Sequence, residues 1–395
     1  MPKNTSYSLP KDSKAWQQAV DSIATLLPDD TNLQDFDALQ SLPVFALIVV
    51  LPTQVSAIDI HQYIQSWVDE QPSWHLVTVA EDTDASFVNI TVSDTEPTAA
   101  DAQRLPFTNA QVYRYLLVPV TDTLMHPGKK TAAAHIIDDQ LTTRLRHDLS
   151  EQYNTGIADS AVDLNVVDCH ILSVGHMLRT HKLACFDMDS TLIEQEVIVE
   201  LAKTAGIGEE VEAITEAAMR GEIDFDESFA QRVALLKGTS TDVLDNICSR
   251  LTLSVGARTT ISALKALGYH TVLVSGGFTY FARYIAEQLG IDEVHANALD
   301  IEDNEVTGHV QFPIVNGAKK AAIVEHTAER LGIEMSQVVC IGDGANDLPM
   351  MALADLGVAY HAKPIVQARA DAAVNVTGLE GTLYALGYPA LAPTE

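Results

Sequence analysis

The chain has 395 residues, 47% of them apolar and 20% charged, which is typical of globular proteins and long enough for two domains. Its formal net charge is −30, spread along the whole chain, so nucleic acid and anionic membrane surfaces are expected to be repelled. The longest apolar run, "VFALIVVL", is too short to cross a membrane, the first residues lack a signal-peptide pattern, and the four cysteines show no CxxC spacing, so we expect a cytoplasmic protein with reduced thiols.

Residues 1–172 have the pattern of a small α+β domain. Residues 1–40 are polar with only a scattered helical pattern. Beyond them, apolar alternation predicts strands and apolar residues at helical spacing predict helices. In chain order we expect strand "FALIVVLP", helix "IDIHQYIQSWVDEQ", strands "HLVTVA", "SFVNITVS" and "VYRYLLVPV", helix "DDQLTTRLRHDLSEQYN" and strand "DLNVVDCHIL". The order βαβββαβ favours a small α+β sandwich.

Residues 173–395 alternate between strands and helices. After strand "KLACFDMD", residues 196–250 are expected to be helical, with breaks at Gly206, Gly208, Gly221 and Gly238. The remaining predicted elements are strand "HTVLVSGG", helix "FTYFARYIAEQLG", strands "VHANALDIE" and "EVTGHVQ", a helix over 319–331, strand "QVVCIG", a helix, and strands "LGVAY" and "AAVNV". This alternation predicts an α/β domain with a doubly wound parallel (Rossmann-like) sheet and a helical insert. Ligands of such sheets bind at the carboxyl ends of the strands.

The segment "DMDST" places two carboxylates directly after the first strand of this second domain. Because side chains alternate along an extended chain, Asp187 and Asp189 are expected on the same side. Two carboxylates about 4 Å apart repel by about 4 kcal/mol at an effective dielectric constant of about 20. A divalent cation, or a proton on one carboxylate, removes that cost. Helix capping is the alternative interpretation, but one cap needs only one such residue.

Two further segments carry groups suited to an anion. Ser275, Gly276 and Gly277 lie between a strand and a helix, where exposed backbone N–H groups suit a phosphate. Glycines are also common at such turns in proteins without a ligand there. Lys319 and Lys320 open another predicted helix, and taken alone they are most simply a solvated pair.

The segment "GDGAND" adds more oxygen donors at the end of another apolar strand. It brings Asp343, Asn346 and Asp347 to an edge that already carries Asp187 and Asp189. Mg²⁺ prefers such hard oxygen ligands. Two carboxylate pairs, backbone N–H groups, a hydroxyl and an ammonium form a set suited to phosphoryl transfer. A carboxylate nucleophile implies an aspartyl-phosphate intermediate.

These segments resemble the four motifs of the haloacid dehalogenase-like superfamily of phosphohydrolases. "DMDST" resembles the first motif (Asp-x-Asp-x-Thr), Ser275 the second, Lys320 the third and "GDGAND" the fourth. Over about residues 183–378 the sequence is similar to the phosphoserine phosphatases, a family within that superfamily. The resemblance implies an enzyme that hydrolyses O-phospho-L-serine to L-serine and phosphate with Mg²⁺, the last step of serine biosynthesis.

The resemblance also implies roles for the acidic residues. Asp187 would be the nucleophile, and Asp189 would act first as general acid and then as general base. Asp187, the backbone carbonyl of Asp189, and Asp343 would hold Mg²⁺. Asp347 and Asn346 would support this shell, and Asn346 is also expected to contact the substrate.

Other residues are expected to bind the substrate. Ser275, the N–H of Gly276 and Lys320 would hold the phosphoryl oxygens, and Lys319 is the alternative to Lys320. The helical insert, at about 197–260, would be a cap that closes over the substrate.

Within that cap region, the resemblance implies that Glu196 pairs with the substrate ammonium and that Arg232 pairs with its carboxylate through two parallel hydrogen bonds. From the local sequence alone, Arg232 would instead be a surface partner of Ser228 or Glu227. The apolar side of the pocket would be lined by Met219 and Phe225.

Three alternatives remain open at this stage. The enzyme could pass the phosphoryl group to another acceptor alcohol, or it could hydrolyse a different small phosphomonoester. A different class of function is amino-acid sensing through residues 1–172, since bacterial relatives carry small ACT-like domains at this place. A homodimer and an amino-acid effector of the N-terminal domain are further expectations.

Overall fold

The computed structural model describes residues 3–10, 14–24, 44–52, 60–70, 74–81, 87–94, 110–119, 145, 148, 167–220 and 222–393. The chain forms two compact units, one of Met1–Thr180 with Asp371–Glu395 and one of His181–Ala370. Within the described ranges, none of the helices combines the length and the apolar character needed to cross a bilayer.

The first unit is an α+β structure, as the sequence predicts. Its elements before residue 180 are β1 (Lys3–Pro10), α1 (Lys14–Ser22), β2 (Phe45–Pro52), α2 (Ile60–Asp69), β3 (Trp74–Thr78), β4 (Phe87–Asp94), β5 (Ala110–Pro119), β6 (Asp168–Ser173) and α3 (Val174–Leu178). The predicted strands β2 to β6 and the predicted helix α2 are confirmed. The other predicted helix, at 138–154, lies outside the described residues except for Leu145 and Asp148, which are helical.

The core of the first unit lies between its larger sheet and α2. The strands of this sheet are ordered β3-β5-β2-β6 and are antiparallel. Alternate residues Leu47, Val49 and Leu51 of β2 share one buried cluster with Ile60 and Ile64 of α2. Ile60 and Ile64 are about one helical turn apart. A strand face that repeats every two residues therefore packs against a helix face that repeats every 3.6 residues.

The second unit begins with β7 (Leu183–Phe186). It continues with α4 (Val197–Ala205), α5 (Gly208–Met219), α6 (Phe225–Leu235), α7 (Thr241–Cys248), α8 (Ala257–Ala266), β8 (His270–Phe278), α9 (Thr279–Leu289), β9 (Glu293–Asn297), β10 (Leu299–Glu302), β11 (Glu305–Val310), α10 (Gly317–Leu331), β12 (Val338–Gly342), α11 (Leu348–Met351), β13 (Leu356–Tyr360) and α12 (Pro364–Gln367). The chain then returns to the first unit with β14 (Ala372–Val374), α13 (Gly381–Ala385) and β15 (Ala392–Pro393).

The central sheet of the second unit is parallel, with its strands ordered β13-β12-β7-β8-β9. Every residue of β7, β12 and β13 is buried, which explains their continuous apolar sequences, because helices cover both faces of such a sheet. Phe186 is in register with both Ile341 and Leu273. The carboxyl ends of β7, β12 and β8 therefore meet at one edge.

The helical insert follows β7, as predicted. Its helices α4 to α7 are separated near the predicted breaks, and Gly206 and Gly238 have positive φ values of 72° and 79°. Gly221 lies outside the described residues. An isolated antiparallel bridge between Ile193 and Leu253 joins the two connections that enter and leave the insert.

One predicted strand divides in two. The stretch "VHANALDIE" forms β9, which belongs to the parallel sheet, and β10, which pairs with β11 as an antiparallel hairpin. The side chain of Asn297 at the end of β9 bonds to the backbone of two other segments, and this holds the chain where it leaves the sheet.

Candidate active site

The carboxyl ends of three neighbouring strands supply the polar groups of the site. Asp187 follows β7, Asp343 follows β12, and Ser275 lies near the end of β8. The backbone N–H of Asp187 donates to the carbonyl of Ile341 at 2.9 Å, so the parallel ladder extends to the first motif. This hydrogen bond places Asp187 beside the chain that leads to Asp343.

Lys320 joins two buried carboxylates. Its Nζ atom lies 2.8 Å from Oδ1 of Asp187 and 2.7 Å from Oδ1 of Asp347, and all three side chains are almost completely buried. Burial alone lowers the pKa of Lys320, but the charges of Asp187 and Asp347 outweigh it and raise the pKa above its usual value. Lys319 is only half-buried, and its backbone N–H donates to the capping side chain of Asn316.

Three carboxylates converge where a cation could bind. One oxygen from each of Asp187, Asp343 and Asp347 lies within 4.8 Å of the others. Burial, followed by the charge of Asp187, raises the pKa of both Asp343 and Asp347 to about 7. This crowding of hard oxygen donors fits Mg²⁺, which would relieve both the desolvation and the mutual repulsion.

Asp189 is held at the start of the helical insert. Its Oδ1 atom accepts the backbone N–H of Val197, the first residue of α4, at 3.1 Å. Burial, then the charges of Glu196 and Asp187, raise the pKa of Asp189 well above its usual value. This shift favours the protonated carboxyl group, which is the form that can donate a proton.

The turn after β8 is tightly packed against Asp189. The buried Ser275 hydroxyl accepts the N–H of Gly277 at 2.8 Å. A Cβ atom on Gly277 would lie 2.8 Å from Oδ2 of Asp189, so a side chain at this position would force the carboxyl group of Asp189 to shift. Nδ2 of the buried Asn297 donates to the carbonyl of Gly276 at 2.8 Å, a contact that the sequence pattern did not reveal.

A cavity of about 410 Å³ opens above these groups. Eight of the predicted site residues line it: Asp187, Asp189, Glu196, Phe225, Arg232, Gly276, Asp343 and Asn346. Three others, Ser275, Lys320 and Asp347, are fully buried behind the lining. Met219 ends α5, and its side chain lies outside the described part of the structure.

Glu196 and Arg232 lie at the side of the cavity formed by the insert. The Ser190 hydroxyl donates to Oε1 of Glu196 at 2.9 Å. Nε of Arg232 donates to the backbone carbonyl of Ser228 at 3.3 Å, so the local partner considered from the sequence is present as a backbone contact. Burial lowers the pKa of Arg232, and the nearby charge of Glu196 partly offsets this effect.

Several lining residues were not predicted: Ile198, Phe229, Phe278, Lys363, Ile365 and Val366. Phe229 follows Phe225 by one helical turn, and the two rings are stacked with centroids 6.3 Å apart, so the spacing could have revealed it. Lys363 follows the predicted strand "LGVAY", and the rule that ligands bind at strand ends could have included it.

The chain is similar to known proteins in its sequence and in its fold. The sequence model of the haloacid dehalogenase-like hydrolase family matches residues 181–355. A probable phosphoserine phosphatase from Schizosaccharomyces pombe is 47% identical over 223 residues, which are 56% of this chain and 75% of that protein. The chain belongs to the phosphoserine phosphatase family of haloacid dehalogenase-like hydrolases. The predicted enzyme class, a phosphatase, is thereby confirmed.

Two further relatives extend the comparison. A phosphoserine phosphatase from Streptomyces coelicolor is 46% identical over 238 residues, which cover 60% of this chain and 58% of that protein. The crystal structure of a haloacid dehalogenase family hydrolase from Salmonella enterica serovar Typhi superposes with a TM-score of 0.64 at 29% identity. That superposition covers 86% of this chain and 98% of the other, and it confirms the predicted fold class.

Proposed function

We propose that the enzyme hydrolyses O-phospho-L-serine to L-serine and inorganic phosphate through an aspartyl-phosphate on Asp187. The observation that carries this proposal is the environment of the Asp187 carboxylate. Its Oδ1 atom accepts the Met188 N–H at 2.7 Å and contacts Lys320, whereas no described residue donates a hydrogen bond to Oδ2. One oxygen is therefore fixed, and the other is available to attack phosphorus in the cavity.

The two acidic residues of the first motif would divide the chemistry between them. Oδ2 of Asp187 attacks phosphorus, the bond to the serine oxygen breaks, and that oxygen takes the proton from Asp189. Asp189, now ionised, removes a proton from water. The water oxygen attacks phosphorus, the bond to Asp187 breaks, and phosphate leaves. The raised pKa of Asp189 supports the first of its two roles.

Mg²⁺ is the cofactor that these residues fit. Asp187, the backbone carbonyl of Asp189, and Asp343 would hold it, and Asp347 would support the shell through its hydrogen bonds to Lys320 and to the Gly344 N–H. When bound, the ion supplies positive charge that stabilises the phosphoryl oxygens.

The insert would recognise the serine part of the substrate. Glu196 would bind its ammonium and Arg232 its carboxylate, because both line the cavity on the same side as α4 and α6. Phe225 lines the cavity too, and the resemblance adds Met219 on the apolar side. The phosphoryl oxygens would contact four groups: the side chains of Ser275, Lys320 and Asn346, and the N–H of Gly276.

Phosphate release from a panel of small phosphomonoesters, with Mg²⁺ and with chelator, tests the proposal. We expect O-phosphoserine to be among the best substrates and Asp187→Asn to be inactive while remaining folded. The matched control is Asp303→Asn, which removes the same charge from an exposed turn with a φ of 49° that asparagine tolerates. Full turnover by Asp187→Asn would end the case for a carboxylate nucleophile. Product analysis with added homoserine separates hydrolysis from transfer to another alcohol.

The resemblance also supports placing the reaction at the end of serine biosynthesis, and an ACT-like N-terminal domain with an amino-acid effector. A cytoplasmic location and the division of the chain at residues 172 and 173 come from the sequence pattern, and a homodimer is a further part of the proposal. Titration of the full chain with serine, followed by calorimetry and by activity, tests the effector.

A further inference from the structure

Lys363 lines the candidate cavity and has no role in the function proposed above. The side chain is exposed, and no described acidic residue forms an ion pair with it. It therefore differs from Lys320, which is buried between two carboxylates.

The backbone at Lys363 is firmly held although its side chain is free. After β13, His361 adopts a left-handed conformation with a φ of 44°, which turns the chain. The carbonyl of Lys363 accepts the N–H groups of Val366 at 2.9 Å and Gln367 at 3.1 Å. Nε2 of Gln367 donates to the carbonyl of Ala362 at 2.7 Å. A strained residue next to a well-bonded turn often marks a functional site.

The negative charges that line the cavity favour a cation that is not already paired with an acidic residue. Its acidic lining residues are Asp187, Asp189, Glu196 and Asp343, and the whole chain carries a net charge of −30. A phosphomonoester group adds a charge of about −2 at neutral pH, and the carboxylate of the substrate adds one more. Against these, the cationic lining residues are Arg232 and Lys363. Lys320 is already neutralised by its two partners.

The burial of neighbouring groups indicates which end of the substrate Lys363 faces. The nucleophile Asp187 and its partner Lys320 are buried at the closed end of the cavity. Ile365, two residues after Lys363, is 68% exposed and lies at the mouth. With phosphorus at Asp187, the leaving group extends towards this mouth.

We propose that Lys363 is a specificity-determining residue that binds the carboxylate of the leaving group together with Arg232. This inference rests on the function proposed above and adds a second cation for the same anionic group. It explains how an acidic enzyme could favour a leaving group that carries a negative charge. Lys363 is then a contact for substrate recognition and takes no part in the transfer of protons.

Two substrates and three variants test the inference. O-phosphoethanolamine has the phosphate and ammonium of O-phosphoserine but lacks the carboxylate. For Lys363→Met we expect the KM for O-phosphoserine to rise about tenfold, as for the loss of one hydrogen bond to a charged group. We expect kcat to stay within about twofold of the wild-type value. The kcat/KM for O-phosphoethanolamine should change by less than about twofold. Lys363→Arg should restore most of the loss.

Lys237→Met is the matched control, because Lys237 is exposed and lies outside the cavity lining, yet its loss changes the net charge equally. Thermal unfolding checks that each variant is folded, and Lys363→Gln replaces Lys363→Met if the latter does not fold. Where O-phosphoethanolamine turns over too slowly, its inhibition constant is measured instead. Equal losses for both substrates would assign Lys363 to the phosphoryl end and overturn the inference, as would no loss for either. If the wild type does not hydrolyse O-phosphoserine, the proposed function itself has failed.

Discussion

Nζ of Lys320 lies 2.8 Å from Oδ1 of Asp187, and Asp347 holds the same ammonium from its other side at 2.7 Å. Asp187 directly follows β7, Lys320 lies in α10, and Asp347 lies in the loop after β12. Lys320 thus orients the carboxylate of Asp187 before any substrate binds, and it limits the repulsion between the two acids.

Replacing Lys320 should therefore affect both activity and stability. For Lys320→Met we expect kcat to fall roughly 10²- to 10³-fold, as when a preorganised electrostatic contact is lost. We also expect the free energy of unfolding to fall by about 3 to 5 kcal/mol, because two buried carboxylates lose their partner. Lys319→Met is the control, since Lys319 contacts neither acid, and it should change kcat less than about twofold. Steady-state kinetics and urea denaturation measure both effects; equal behaviour of the two variants would contradict this role.

The fit at Gly277 leads to a second prediction. A Cβ atom there would lie 2.8 Å from Oδ2 of Asp189 and 3.1 Å from Oγ of Ser275. We expect Gly277→Ala to lower kcat at least about tenfold by displacing Asp189, since small misplacements of reacting groups are costly. Gly208→Ala is the control, because nothing lies within 4 Å of its added Cβ atom. An active Gly277→Ala enzyme with wild-type kcat would show that the position of Asp189 is not critical.

From the close approach of the carboxyl groups of Asp187, Asp343 and Asp347, we predict that Mg²⁺ binding depends on pH. Burial and Asp187 raise the pKa of Asp343 and Asp347 to about 7, so these groups are partly protonated below pH 7 and must lose protons to bind a cation. We expect Mg²⁺ to bind more tightly as the pH rises from 6 to 8 and to release protons at pH 6.5. Calorimetry in two buffers of different ionisation enthalpy measures this release. Heats that do not depend on the buffer would contradict the prediction, and Asp343→Asn should release fewer protons.

The oxygen donors of the site could be predicted because they follow a rule that local sequence reveals. Asp187 and Asp343 come directly after apolar strands, and parallel strands bring their carboxyl ends to one edge. The partners of Asn297 could not be predicted in this way. Its amide bonds to the carbonyl of Gly276 and to the N–H of Val315, and nothing in the sequence around Asn297 indicates either segment.

Strand β1 shows a second limit of the sequence pattern. Its sequence "KNTSYSLP" has little apolar alternation, so no strand was predicted there. It forms because eight of its residues pair with β4 along an antiparallel ladder, from Lys3 opposite Asp94 to Pro10 opposite Phe87. Long-range backbone pairing of this kind overrides weak local preference.

The last prediction concerns Glu380, which directly precedes α13 in the first unit and is only 1% exposed. Burial raises the pKa of its carboxyl group to about 7. The nearby N–H groups of Glu380 itself and Gly378 offset this only in part, and neither carboxylate oxygen forms a hydrogen bond with a described residue. In the unfolded chain a glutamate ionises near pH 4.3, so between about pH 4.3 and 7 the folded protein binds more protons than the unfolded one.

Stability should therefore fall as the pH rises through this window, and the loss should be complete above about pH 8. Glu380→Gln removes the ionisation, and we expect it to raise the free energy of unfolding by about 3 to 4 kcal/mol at pH 8, from about 1.4 kcal/mol per pKa unit over the shift from about 4.3 to about 7, with little effect at pH 4.5. The exposed Glu302→Gln is the control and should change stability by less than about 0.5 kcal/mol at either pH. Denaturant unfolding at both pH values measures the difference. A Glu380→Gln variant less stable than wild type at pH 8 would mean that the carboxylate has a stabilising partner in solution.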